Sequence, residues 1–280
     1  MLLLGVVYYV VRPDVSRYSH ELPVNFPNDG FSHTSFEELL LEYVEEGLVN
    51  YQRWHDTPKD RRKLKRYLGA VAALSPDNAP QRFANASAQT AYWMYAYNAL
   101  VIDAILDRWP IESVTDVKAP IEVVQGLGFF YKLKFTLGGE VLSLYELEHQ
   151  KILARTQDPR VHFVLNCGSG GCPIMRPRLP TGEELEPYLA AAAADFVGDK
   201  KNVTFDHQKK ILKVSKIFSW YKEDFLNELR RQGQSTGRGI VDYLKLVATG
   251  EMSLELERAR DYTVEMNEYD WALNKTKEKE

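Results

Sequence analysis

Between Ser87 and Trp109 the chain is apolar almost all round. A helix with that pattern has no face to turn to water, so it predicts a helix buried at the centre of the fold. Pro110 ends it. Asn98 stands inside this run, in Tyr92-Trp-Met-Tyr-Ala-Tyr97-Asn98-Ala99-Leu100. A buried amide needs partners for about four hydrogen bonds. Asn98 therefore either braces a loop or presents its NH2 to a substrate carbonyl. The aromatic side chains around it read as core.

The elements on either side follow from periodicity. Ser35 with Glu38 reads as a capping box before Phe36, Leu39, Leu40, Tyr43 and Val44 at helical spacing. A second helix begins at Thr57-Pro58 and turns Leu64, Tyr67, Leu68, Val71 and Leu74 inward. Its basic outer face (Lys59, Arg61, Arg62, Lys63, Lys65, Arg66) reads as a solvated surface. Tyr131, Leu133, Phe135 and Leu137 alternate into Gly138-Gly139 and Val141, a hairpin signal. A helix around Ser143–Arg155, a short strand Val161–Asn166 and a Gly-rich loop Cys167–Pro173 come next. Thr181 and Glu184 make a second capping box, a further hairpin spans about Val203 to Ser215, and Trp220, Tyr221 and Phe225 sit on a short helix. The tail alternates over Tyr262–Asn274 and ends in a charged run.

These elements predict a single α+β domain, with N-terminal helices, one of them buried, packed on a mostly antiparallel sheet. The expected organisation is an N-terminal extension over residues 1–30, a domain over 31–250, and a C-terminal strand and charged tail over 251–280. With 45% hydrophobic and 26% charged residues, the chain is neither disordered throughout nor collagen-like, coiled-coil or a disulfide miniprotein.

Met1–Val11 is an apolar run shorter than the ~17–25 residues of a membrane span. It lacks a clear basic n-region and a clear cleavage site. Membrane contact is expected only through this segment, if anywhere. Both a cytoplasmic location and an exported or anchored one stay open. A net charge of −4 gives no field for a nucleic-acid backbone, so no nucleic-acid partner is expected. The expected partner is a small-molecule or peptide substrate, and no cofactor is expected.

Chemically able residues are densest between Glu146 and Pro173. The chain's two cysteines, Cys167 and Cys172, lie there, five positions apart. A bridge so short would stabilise little by loop entropy. The cysteines are therefore of more interest as chemistry. A thiol-nucleophile site needs a Cys, a base in hydrogen-bond reach and a group to orient the base. Cys167 is the expected nucleophile. Gly168, Ser169, Gly170 and Gly171 would let backbone N–H groups converge on an oxyanion, with Asn98 as a helper. Cys172 precedes Pro173 at a helix start, which lowers a thiol pKa. It is the alternative nucleophile or a resolving thiol. On a regular strand His162 lies roughly 3.3 Å per residue, or about 16 Å, from Cys167, so His149 is the expected base. Glu146, at i−3, shares the His149 face, and Glu148 is its neighbour in sequence. Either carboxylate could orient it.

Other readings of the same residues are weaker. His149, His162, Cys167 and Cys172 run H-x12-H-x4-C-x4-C, close to a reversed zinc-finger spacing, but the strand keeps His162 and Cys167 from sharing one ion. The C-x-x-C spacing of a thioredoxin-like pair is absent. The loop has neither a P-loop ending nor G-x-G-x-x-G.

Several linked motifs carry a resemblance. They are Trp93-x-x-x-Tyr97-Asn98-Ala99, Leu142-Ser143-Leu144-x-x-Leu147-Glu148-His149, Asp158-Pro-Arg-Val-His162-Phe-x-Leu-Asn166-Cys167-x-Ser169-x-x-Cys172-Pro173 and Ser215-Lys-Ile-Phe-x-Trp220-Tyr221-x-x-Asp224-Phe225. Over about Phe31 to Leu246 the chain resembles DUF547, a family of unknown function. It departs from the family at Tyr95, where a second Asn is usual, and at Ile174-Met175, where Pro-Leu is frequent. The resemblance implies no settled activity. It invites comparison with papain-like or transglutaminase-like thiol sites, and export of many bacterial members adds weight to Met1–Val11 as a signal or anchor remnant. The leading expectation is a thiol-dependent enzyme acting on an amide, ester or thioester. The alternatives are a non-catalytic ligand- or peptide-binding module and a structural zinc domain.

Overall fold

The computed structural model describes residues 14–277, apart from 17, 20, 21, 24, 122 and 123. Met1–Val11 lies outside the described residues. The centre of the fold is a helix over Ala86–Leu106, here α3, capped by Asn85, whose side chain accepts the Ala88 N–H at 2.8 Å. Every position from Ala91 to Leu106 is buried, as the unbroken apolar run predicts. Among the described residues no helix is long and apolar enough to cross a membrane.

Two earlier helices pack beside it, α1 (Thr34–Tyr43) and α2 (Pro58–Ala73). Thr57 and Pro58 start α2 as expected. The basic face of α2 is tied down by carboxylates: Arg61 pairs with Asp107, Lys63 with Glu38, and Lys65 with both Asp103 and Asp107. The expected capping boxes at Ser35 and Thr181 do not form. Helix α1 begins one residue before Ser35, and the helix over Leu185–Gly198 (α4) has Glu184 at its N-cap without a side-chain bond.

The strands form three small sheets among the described residues, instead of one mostly antiparallel sheet. In the first, β1 (Asp14–Ser16) lies parallel to β4 (Leu133–Leu137), which pairs antiparallel with β5 (Glu140–Leu142). A two-stranded ribbon joins β2 (Val44–Glu45) to β3 (Leu48–Val49). In the third, β6 (Val203–Asp206) and β7 (Ile211–Val214) make the expected hairpin, and β8 (Thr263–Met266) adds parallel to β7. The β4–β5 turn docks on the end of α2: the Gly138 and Gly139 N–H groups donate to the Val71 and Ala72 carbonyls, both at 2.9 Å. Gly138 has φ +55°, and a Cβ there would collide with the Ser75 side chain, so the turn needs glycine. The α+β class stands. Three longer helices, α5 (Lys222–Arg231), α6 (Ile240–Val247) and α7 (Gly250–Arg258), follow the third sheet's hairpin and lead into β8.

Two segments beside the central helix differ from expectation. Ser143 caps a helical stretch through Thr156 in which Leu147–Leu153 is π-helical, a distortion frequent at functional sites. Val161–Asn166 is no strand. Pro159–Phe163 is a 3-10 turn started by Asp158, whose Oδ1 accepts the Arg160 N–H at 2.9 Å. Asp-Pro is a helix-start signal, and a short apolar run fits a buried turn as well as a buried strand.

Candidate functional site

The helical turn, the π-helical stretch and the Cys loop come together around a cavity of about 610 Å3. Its walls are strongly aromatic: Tyr97 comes from α3, Phe130 and Tyr131 from a π turn over Gly128–Lys132, Trp220 and Tyr221 from the short helix Ile217–Trp220 and its end, and Tyr269 and Trp271 from the C-terminal segment. Glu148, His149, His162, Cys167 and Cys172 also line it. Part of the densest sequence cluster therefore faces one space, whereas Glu146, Asp158, Arg160, Asn166 and Ser169 do not line it.

The two histidines differ in kind. His149 is half-buried and stacks on Tyr145 at 3.9 Å between ring centres. Its Nδ1 lies 3.0 Å from the Tyr145 carbonyl. A carbonyl only accepts, so Nδ1 carries a proton, and in the neutral tautomer this selects, Nε2 bears the lone pair. Neither expected carboxylate orients this ring. Glu146 closes a capping box on Ser143 and pairs with Lys134; burial opposes its ionisation, but Lys134 and Ser143 outweigh that and hold its pKa below the usual range. Glu148 is buried and turned towards His162 and the Tyr221 hydroxyl.

His162 is bound on both nitrogens. Its Nδ1 is 3.5 Å from Glu148 Oε1, its Nε2 is 2.9 Å from Asp224 Oδ2, and its ring stacks on Tyr221 at 3.7 Å. Burial alone would lower its pKa, but the hydrogen bonds and charges of Asp224 and Glu148 outweigh it, and the net shift is upward. The charged form of the ring is therefore favoured relative to a free histidine. With the 3-10 turn in place of the strand, the distance argument that set His162 aside no longer holds. What removes it from the role of base is that both its nitrogens are engaged.

Asn98 braces. Its Nδ2 donates to the Val164 carbonyl at 3.2 Å and its Oδ1 accepts the Asn166 N–H at 2.9 Å. This fixes the chain just before Cys167 and corrects the expectation of an oxyanion helper. The Gly-rich loop is also engaged. The Gly168 N–H donates to Asn166 Oδ1 at 2.9 Å, Gly170 to the Ala272 carbonyl at 2.7 Å, and Gly171 to the Asp270 carbonyl at 2.9 Å. Ser169 is buried opposite Leu273 in an antiparallel bridge. In this conformation these glycine donors do not point to an oxyanion, because Asn166 takes that of Gly168 and a C-terminal strap over residues 269–276 takes those of Gly170 and Gly171.

That strap crosses the loop and runs on to β3, where the Val49 N–H donates to the Asn274 carbonyl at 2.8 Å. Buried Asn274 also bonds Asn166 and Tyr51. A Cβ on Gly171 would lie 2.6 Å from the Tyr269 ring, and one on Gly170 would strike the Asp270 carboxylate. Gly170 and Gly171 thus make room for the strap, and Gly168 makes room for Ile105 of α3. Sequence reasoning missed Tyr269 as a site residue, since it is 102 positions from Cys167. Tyr221 and Asp224 were visible only inside the Trp220-Tyr221-x-x-Asp224 motif.

Cys167 and Cys172 are joined in a disulfide, with Cα atoms 6.0 Å apart. The Tyr269 hydroxyl lies 3.1 Å from each sulfur, and the Cys167 N–H donates to Cys172 Sγ at 3.1 Å. The four residues of the zinc expectation line the cavity but do not converge as ligands: among the described residues no cluster of three or more His, Cys, Asp or Glu could hold a metal ion.

Residues 81–197 match the model of the family described as Protein of unknown function, DUF547. The resemblance holds over that span, which contains α3, the π-helical stretch, both cysteines and α4. It leaves Trp220, Tyr221, Asp224 and the strap outside. No curated protein and no solved structure matches the chain.

Proposed function

We propose that this DUF547-containing chain is a thiol-dependent enzyme of the acyl-transfer type, acting on an amide, ester or thioester. Cys167, once reduced, is the nucleophile and His149 the base. One observation carries the reading: Cys167 shares a cavity with a half-buried histidine whose Nδ1–H is tied to a backbone carbonyl, leaving the lone pair on Nε2. The Tyr145 carbonyl and ring take the orienting part first given to Glu146 or Glu148. A cavity of this size suits a small molecule or the side chain of a peptide. The likeness to papain-like or transglutaminase-like sites extends to residue types, and the order His149 before Cys167 would require a circular permutation relative to papain.

The test is the pH dependence of iodoacetamide alkylation after reduction, read separately at each cysteine by peptide mass. Cys167 should react quickly well below the free-thiol pKa of ~8.5, and His149→Ala should slow it about 100-fold without unfolding the protein. Alkylation at the ordinary free-thiol rate, unchanged by His149→Ala, overturns the assignment. A second reading, a binding module without catalysis, is favoured by the engagement of the Gly170 and Gly171 donors with the strap. On that reading Cys167→Ser keeps its ligand.

A further inference from the structure

The disulfide is asymmetric. Cys172 is buried, at 3% exposed, whereas Cys167 is half-buried at the cavity wall. An incoming thiol therefore reaches Cys167 first, and Cys172 becomes the leaving sulfur. The Cys167 N–H already donates to that sulfur at 3.1 Å, and the Tyr269 hydroxyl, 3.1 Å from both sulfurs, can donate to whichever one leaves. A disulfide sulfur is a weak acceptor. A departing thiolate is a strong one, because hydrogen bonds to a charged acceptor are roughly twice as strong as neutral ones. Burial pushes the Tyr269 hydroxyl well above its usual pKa, so it stays protonated and can only donate to a thiolate. The donors are therefore complementary to the reduced product more than to the resting bond, and a better-stabilised leaving thiolate speeds exchange.

We infer that Cys167–Cys172 is a thiol–disulfide exchange centre that accepts electrons from a small dithiol entering the aromatic cavity. The spacing is C-x4-C, which the C-x-x-C rule overlooks. In the first step a substrate thiolate attacks Cys167 Sγ. A substrate–Cys167 S–S bond forms, the Cys167–Cys172 bond breaks, and its electron pair leaves on Cys172 Sγ, held by the Cys167 N–H and Tyr269. In the second step the other thiolate of the dithiol attacks its own sulfur in the mixed disulfide and expels the Cys167 thiolate. The dithiol is oxidised by two electrons to an internal disulfide, and the protein pair is reduced to two thiols that take up the dithiol's two protons. This activity needs neither an acyl substrate nor His149 as base. It is read on the oxidised chain, whereas acyl transfer is read on the reduced chain, so one can fail while the other stands.

The experiment uses the full oxidised chain. Glutathione, a monothiol with no second thiol to carry out the intramolecular second step, is added and the mixed disulfide is trapped early by acid and located by peptide mass; dithiothreitol then measures the rate of full reduction. The adduct should lie on Cys167, and Tyr269→Phe should slow reduction by dithiothreitol about tenfold, the effect of losing one hydrogen bond to a charged group. The adduct site is determined in the unaltered protein, so it decides even if Tyr269→Phe does not fold. An adduct on Cys172, an even division between the two sulfurs, reduction only after denaturation, or an unchanged rate in a folded Tyr269→Phe protein would each overturn the inference.

Discussion

Two regions of the same cavity treat histidine in opposite ways. Around His162 the chain buries the ring and gives both nitrogens a carboxylate. Around His149 it leaves the ring half-buried and gives one nitrogen a backbone carbonyl. The first arrangement favours the charged ring and ties Glu148 and Asp224 to the 3-10 turn. The second fixes one nitrogen as a donor and leaves the other without a protein partner among the described residues. Proximity to a thiol does not decide which histidine is a base; the number of its nitrogens already engaged does.

Removing each ring tests that contrast. The largest effect is expected from His162→Ala, which leaves the buried Glu148 without its counter-charge. Loss of one partner of a buried ion pair costs roughly 3–5 kcal/mol, and the value here should fall at the lower end because Asp224 is partly exposed. His149→Ala should stay within about 0.5 kcal/mol of the unaltered protein. Urea unfolding of both variants measures this, and equal losses would erase the distinction.

A smaller effect is expected at the loop between them. Gly171→Ala sets a methyl 2.6 Å from the Tyr269 ring, and overpacking of this kind costs roughly 1–3 kcal/mol. Tyr269 fluorescence and the denaturation midpoint should move together, since the ring must shift to admit the methyl. An unchanged midpoint would mean that the strap is looser than its hydrogen bonds to Gly170 and Gly171 imply.

The finest test is pH. The pKa of His162 is raised on folding, so its contribution to stability is fully present below the ordinary histidine pKa near 6.5 and is lost as pH rises through the raised value. Unfolding free energies of the unaltered protein and of His162→Gln, compared from pH 6 upward, should converge as pH rises. A gap that widens with pH would give His162 the opposite sign.

The fold was most legible where local rules and burial agree. The unbroken apolar run predicts α3, Thr57-Pro58 begins α2, and Gly138-Gly139 and the Val203–Ser215 pattern produce their hairpins. Local signals failed where two of them compete. Val161–Leu165 is apolar enough for a strand, yet Asp158-Pro159 starts a 3-10 turn that Arg160 fastens to Asp158 and Glu186. Ser35 and Thr181 fit capping boxes in spacing, but helix ends depend on where the rest of the fold stops the chain.

Within the site, the sequence alone determined which residue types gather: two cysteines, two histidines and Glu148 lie close along the chain. Their roles were decided only by tertiary structure. Glu146 went to a lysine on β4, Glu148 to His162, Asn98 to the backbone before Cys167, and the loop glycines to a strap about 100 residues away. The physical reason is that a hydrogen-bonding group takes whichever partner the folded chain brings within about 3 Å, and sequence spacing cannot report partners that arrive from other elements.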